Sequence, residues 1–504
     1  MRDYPMRWTI LILAAAIVSL CGRGTTTLGA AASGSDEIPR FEYAPIPHEF
    51  APRTGEVEFG YLIVPENRSD PGNTRTVKLP VMIGKCRNAE PRPDPILFAV
   101  GGPGVKSVMG GGRDLDRWPF LDERDFIYFE QRGAVHAHPS LVDPATDSVY
   151  AAGISRLNMQ PDPVALVQAA RAMVERFKNE GIDLTAYSTS ESAADIEDLR
   201  RVLGIEQWNL WGISYSCKLM LEVIRRYPGG VRAVILDSPL PPDVAWDESS
   251  ISNYWRNMKK FFAACREDSS LNSQYPDLEQ RFLALMDAAN GTPLTAKIKD
   301  PHTDQFVDVS LDGEGVFRAV SAYMENPHYV GSFPYHLNLL CDRNPVSVSL
   351  LAGMLAEAPT YAWGMRYSIW CNEELPFESF DRFDNHPGLP VQVRNLSWTT
   401  VPQEIYAFWP RRPIDPRDDE PVISAVPAFV TSGQYDPDTP PDWGTHVAET
   451  LSNAFCFEFP GQTHLPLFVH PCGKAMALEF LNDPRQRPDD SCVQSRQLRF
   501  QGTR

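Results

Sequence analysis

The chain has 504 residues, 43% hydrophobic and 22% charged, a globular composition unlike the disordered, collagenous or coiled-coil classes. Its formal charge is −18, and loss of residues 1–32, with Arg2, Arg7 and Arg23 against Asp3, takes the remainder to about −20. That acidity argues against nucleic acid as a partner, which needs clustered Lys and Arg, and the length rules out a small disulfide knot.

In chain order, the one long apolar run is residues 8–20, behind Arg2 and Arg7. It is too short for the ~20 residues of a membrane-spanning helix. It predicts a signal peptide over 1–32, with cleavage at Ala30-Ala31-Ala32, and hence an exported protein with no stable membrane span. The rival is lipid anchoring on Cys21, but Leu20 is large where such a site takes a small residue.

After a Pro-rich segment, residues 57–65 and 77–83 are predicted strands around a turn at 67–73. Residues 95–100, 126–129, 208–211 and 231–236 are short apolar runs of the buried, parallel-sheet type. Helical periodicity lies between them. Residues 190–203 put Ala193, Ile196, Leu199, Val202 and Leu203 on one face, and 218–226 do the same with Leu219, Val223 and Ile224. Strand alternating with helix predicts an α/β fold with a mostly parallel sheet. From 243 to 421 the alternation stops, and Trp, Tyr, Met and Pro accompany helix-like stretches at 254–265 and 278–289. This segment reads as an inserted, mainly helical cap between two parts of one domain, 33–242 and 422–504. Strands resume at 428–432 and 454–459, and a helix follows at 472–481.

The chemistry concentrates where these strands end. Residues 208–216, Trp-Asn-Leu-Trp-Gly-Ile-Ser-Tyr-Ser, run from a strand straight into a helix, the context of a nucleophile elbow with Ser214 at its apex. Flanking residues must be small for strand and helix to approach; Gly212 is, and Ser216 replaces the usual second glycine. A serine nucleophile needs a base and an orienting acid, in the chain order Ser, Asp, His. Asp436 follows the strand at 428–432 and is the candidate acid, with Asp438 the rival. His464 leaves the strand at 454–459 and is the candidate base, with His470, deeper in the next segment before Pro471, the rival. An oxyanion hole would come from the amides of Tyr215 and of Gly102 in Val100-Gly101-Gly102-Pro103-Gly104. No Gly-Lys-Ser/Thr follows that glycine run, so a nucleotide is not expected.

Without Cys21, eight cysteines remain: Cys86, Cys217, Cys265, Cys341, Cys371, Cys456, Cys472 and Cys492. Their spacing leaves the pairing open and contains no zinc pattern, so neither metal nor cofactor is expected.

These motifs resemble the secreted α/β-hydrolases of the tripeptidyl aminopeptidase and proline iminopeptidase type, the serine peptidases of family S33. The matching residues are Gly101-Gly102-Pro103-Gly104, Gln131-Arg132-Gly133, 208–215, Arg226-Tyr227-Pro228, Leu236-Asp237, Gly433 with Asp436, and Gly461 with His464. The resemblance implies an α/β-hydrolase fold with helices on both sheet faces, a helical cap over the site and a Cys472–Cys492 pair in a C-terminal module. It also implies cleavage of short peptides from the amino end, or of esters and amides of similar shape. The departures are Glu130 for Asp, Val105-Lys106 in the glycine loop, Ala134-Val135-His136-Ala137 for a smaller turn, and Ser216.

Recognising an amino terminus calls for a buried carboxylate to pair with the ammonium. Trp370-Cys371-Asn372-Glu373-Glu374 resembles the family's Cys-Asn-acid motif, which makes Glu373 the candidate; a solvated acidic pair is the other reading. The expectation is therefore an exported serine hydrolase acting on a peptide or small acyl substrate. The alternatives are a carboxylesterase or amidase of the same fold, and a catalytically silent relative that binds ligands under the cap.

Overall fold

Residues 37–107, 115, 118–356, 361–494 and 500 are described by a computed structural model; the predicted signal segment and Cys21 lie outside them. The chain builds a nine-stranded sheet from β1 (Arg40–Tyr43), β2 (Val57–Pro65), β3 (Thr76–Gly84), β4 (Ile96–Ala99), β5 (Phe126–Phe129), β6 (Trp208–Ile213) and β7 (Val231–Asp237). A separate hairpin, β8 (Leu294–Lys299) and β9 (Phe306–Leu311), precedes the last two sheet strands, β10 (Ala428–Gly433) and β11 (Ala454–Phe459). The sheet order is β1-β2-β3-β5-β4-β6-β7-β10-β11. Pairing is antiparallel as far as β5 and parallel from β5 to β11.

The parallel half is apolar because it is covered twice. Trp208 and Leu210 of β6 pack into the core on one face, while Trp211 and Ile213 enter the core on the other. Helices Thr189–Val202 and Tyr215–Arg226 bury Ile196, Leu199, Leu219 and Val223 in the first of these cores, and helix Pro471–Asn482 buries Met476 and Phe480 in the second. Register then positions the site. Ile213, Asp237 and Thr431 stand side by side on β6, β7 and β10, so the segments beyond them emerge together at the carboxyl edge of the sheet.

The segment predicted as one cap divides between two cores. Residues 251–356 supply most of a separate apolar core, around Met258, Phe261, Phe282, Phe317 and Tyr323, which Ile154, Met159, Val393 and Tyr435 complete. Residues 362–383 and 401–409 instead join the sheet's core, through Met365, Tyr367, Ile369 and Trp409, while Val393 between them lies in the separate core. The helical pattern read there also missed the β8–β9 hairpin, in which Leu294, Ile298, Val309 and Leu311 turn inward and Lys297, Lys299 and Asp308 outward. Alternation of this kind was visible in Leu-Thr-Ala-Lys-Ile-Lys and is the strand signature.

Cys472 and Cys492 form a disulfide with Cα atoms 6.0 Å apart; the other described cysteines are free thiols. No helix among the described residues is long and apolar enough to cross a membrane.

Candidate functional site

Ser214 stands between β6 and the Tyr215–Arg226 helix with φ 54° and ψ −125°, a conformation a non-glycine residue adopts only under constraint. The constraint is visible on both sides. A Cβ on Gly212 would lie 2.4 Å from the Ser216 carbonyl oxygen, and one on Gly101 would lie 2.8 Å from Ser214 Cβ. Strand, helix and glycine loop therefore meet with no room for side chains. The Ser214 amide donates to the Asp237 carbonyl at 3.0 Å, which ties the elbow to β7.

Ser216 uses the hydroxyl that distinguishes it from glycine. It donates to the Val100 carbonyl, which also accepts from Gln131 Nε2 at 2.8 Å, so the elbow is bonded to the glycine loop. The other three departures are bonded to one another. The Glu130 carboxylate accepts from the amide of Ser107, past Val105-Lys106, at 2.6 Å and from that of His136 at 3.2 Å. Arg132, in the same motif, is fully buried and grips Asp195 through two bonds of 2.7 Å. Removing one partner of such a pair costs about 3–5 kcal/mol.

His464 Nδ1 lies 2.8 Å from Asp436 Oδ2. Asp436 is buried at 2% exposure, and its carboxylate also accepts from the amides of Asp438 and Thr439 at 3.0 Å and from Thr439 Oγ1 at 2.9 Å. Asp438, the rival acid, lies 3.8 Å from the opposite ring nitrogen, Nε2. His470, the rival base, does not line the cavity that Ser214 and His464 share. Next to His464, Leu465 is left-handed at φ 61° and its amide donates to Ser238 Oγ at 3.0 Å. Asp237 accepts from the amides of Leu467 and Phe468 at 3.2 Å, so one strand end holds both the elbow and the histidine loop. Burial pushes the Asp237 carboxyl up to about 7.

Ser214 and His464 line one cavity of about 400 Å³ together with Gly102, Tyr215, Glu325, Arg366 and Asp438. Among the described residues no hydrogen bond joins Ser214 to His464, whose bonds go to Asp436 and Thr439. Without substrate this contact is commonly long. Tyr215 opens its helix, so its amide has no acceptor inside it, and Gly102, which lines the same cavity, has φ +121°. Burial would lower the His464 pKa, but the charges of Asp436, Asp438 and Glu325 outweigh it and push it up to about 10. Glu325 is pushed up to about 8, by burial first and then by Asp438.

Glu373 is elsewhere. It is 1% exposed, and its carboxylate accepts from the Thr189 amide at 2.7 Å and from Thr189 Oγ1, which in turn meets the Tyr215 hydroxyl at 2.7 Å. Glu374 is also buried and pairs with Lys218. The two acids are therefore neither at the substrate cavity nor a solvated pair; they brace the helix behind Ser214. The acids that face the cavity are Asp438 and Glu325, the last residue of the Gly313–Glu325 helix. No motif marked Glu325, nor Arg366. Thr439, three residues after Asp436, was the one addition that the turn sequence itself could have suggested.

The α/β hydrolase fold family matches residues 94–292, and the TAP-like protein family matches 394–492. The chain belongs to the α/β-hydrolases of the tripeptidyl aminopeptidase type. The chain is 25% identical over 253 residues to the tripeptidyl aminopeptidase of Streptomyces lividans, covering 47% of each chain. It is 22% identical over 419 residues to serine protease Hip1 of Mycobacterium tuberculosis, covering 74% of this chain and 75% of that one. It spans about half the length of the tripeptidyl aminopeptidases it matches. A solved proline iminopeptidase of Mycobacterium smegmatis aligns with a TM-score of 0.38 and 14% identity, over 84% of this chain and 98% of that one.

Proposed function

We propose that this protein is a serine hydrolase that works through an acyl-enzyme and releases residues from the amino end of peptides. His464 takes the Ser214 proton as Ser214 attacks the acyl carbon, the Gly102 and Tyr215 amides hold the oxyanion, and His464 returns the proton to the leaving amine. Water, deprotonated by the same histidine, then frees the acyl group. The observation that carries the reading is the 2.8 Å Asp436–His464 bond at the cavity lined by the strained Ser214.

The amino-end preference is supported by Glu325 and Asp438 at that cavity. Among the described residues the Glu325 carboxylate forms no ion pair and accepts a hydrogen bond from the Tyr254 hydroxyl. An ammonium seated between these acids would favour their ionised forms. It would also weaken the field that keeps His464 protonated, so substrate arrival would free the base. Export, read from residues 1–32, completes the proposal.

The test is labelling with an alkyl fluorophosphonate and mapping of the adduct, expected on Ser214; intact labelling of Ser214→Ala overturns the assignment. For the amino end, free peptides are expected to be cleaved at least about tenfold faster than N-acetylated ones, with Glu325→Gln erasing the difference. Equal rates in the unaltered enzyme would leave an esterase or amidase.

A further inference from the structure

The catalytic cavity has a second, unassigned neighbour. A chamber of about 520 Å³ adjoins it, and Trp246, Tyr361, Arg366 and Trp398 line both. Two arginines face this chamber, and they differ in what they already hold. Arg318 is committed: its Nε donates to Glu314 at 2.8 Å and its Nη2 to the Ser397 carbonyl at 2.6 Å. Arg366 donates to the Gly102 carbonyl and makes no ion pair among the described residues.

Arg366 is also held in place. Its helix, Trp363–Glu373, begins against the glycine loop, where the Ala362 amide donates to the Gly104 carbonyl at 2.9 Å and a Cβ on Gly104 would lie 2.9 Å from the Ala362 carbonyl oxygen. The guanidinium lies 4.9 Å from the ring centroids of both Tyr361 and Trp370, which fix its plane. A guanidinium has five N–H donors in a planar fork. With donors engaged by Gly102 and by the Tyr361 hydroxyl, enough of the five remain for a two-bond grip on a carboxylate, the partner this planar geometry matches.

We propose that Arg366 is the receptor for a carboxylate on the substrate, held at the opening between the catalytic cavity and the adjoining chamber. The cavity then offers a cation at this opening and two acids beside His464, a pattern complementary to a short peptide with both termini free. The peptide form of this inference rests on the amino-end reading above; the carboxylate form requires only that Ser214 is the nucleophile.

The experiment compares kcat/KM for a short peptide with a free carboxyl terminus and for its C-terminal amide. The unaltered enzyme is expected to prefer the acid by about ten- to a hundredfold, Arg366→Gln to lose that preference, and Arg366→Lys to keep part of it. A third peptide, amidated but with a glutamate side chain, separates the two sources of carboxylate: recovery of the rate assigns Arg366 to a side chain, and no recovery assigns it to the terminus. If peptides are not cleaved, the amino-end reading fails by itself, and the pair becomes nitrophenyl esters of glutaric and pentanoic acids, matched in length and differing in the carboxylate. A neutral ester and thermal melting monitor the fold of each variant. Equal rates on acid and amide, or on the two esters, in the unaltered enzyme overturn the proposal. So does an equal loss on both members of a pair in Arg366→Gln, the result of a role confined to holding Gly102.

Discussion

The carboxyl edge of the sheet and the inserted segment both supply the cavity, by different means. At the edge, Ser214, Asp436 and His464 follow directly on β6, β10 and β11, and strained turns and short backbone bonds hold them. In the insertion, Glu325 and Arg366 reach the same cavity from helices whose placement depends on packing against a separate core and on the glycine loop. Two glutamates, one buried and one half-buried, make the contrast concrete. Glu373 carries the motif but is consumed by Thr189, whereas Glu325 carries no motif and faces the cavity.

The largest expected effects come from the edge. Ser214→Ala should abolish ester hydrolysis with the fold intact by circular dichroism, and Asp436→Asn should lower turnover by up to ~10⁴ through loss of the correct imidazole tautomer. Asp438→Asn should cost far less, because Asp436 and not Asp438 contacts Nδ1. A reversed order in steady-state kinetics would move the orienting role two residues along the turn.

An intermediate effect concerns pH. The acids around His464 favour imidazolium, so the free base, and with it kcat/KM, should rise with pH over a limb displaced above the ordinary histidine range. Removing a negative charge disfavours imidazolium. Glu325→Gln and Asp438→Asn should therefore each move that limb down by about one pH unit. In the unaltered enzyme the limb in kcat, which reports the substrate complex, should lie below the limb in kcat/KM. Coincident limbs would separate the acids from the ammonium.

The smallest chemical effect should be that of Glu373→Gln. It weakens the bonds to Thr189 and should lower stability by about 1–3 kcal/mol in urea unfolding, leaving the ratio of free to acetylated peptide cleavage unchanged. A changed ratio would return Glu373 to the substrate.

Much of the core was legible because its signals are local. Apolar runs of strand length, a helix face in 190–203 and the Gly-x-Ser elbow each need only neighbouring residues, and chain order alone suggested Asp436 and His464. The insertion was less legible. Its aromatic residues serve two cores at once, so composition could not divide 251–356 from 362–383 and 401–409, and the alternation in β8 and β9 was submerged in a helical context.

By itself the sequence determined the α/β alternation and the elbow, and it pointed to Asp436 and His464 as that serine's partners, since each signal follows from periodicity or from a turn a few residues long. Only the tertiary structure decided which charges meet there. Whether a glutamate is spent on a helix amide, as Glu373 is, or left facing a cavity, as Glu325 is, depends on segments far apart in the chain and on their packing. Side-chain type sets the charge, and packing sets its partner.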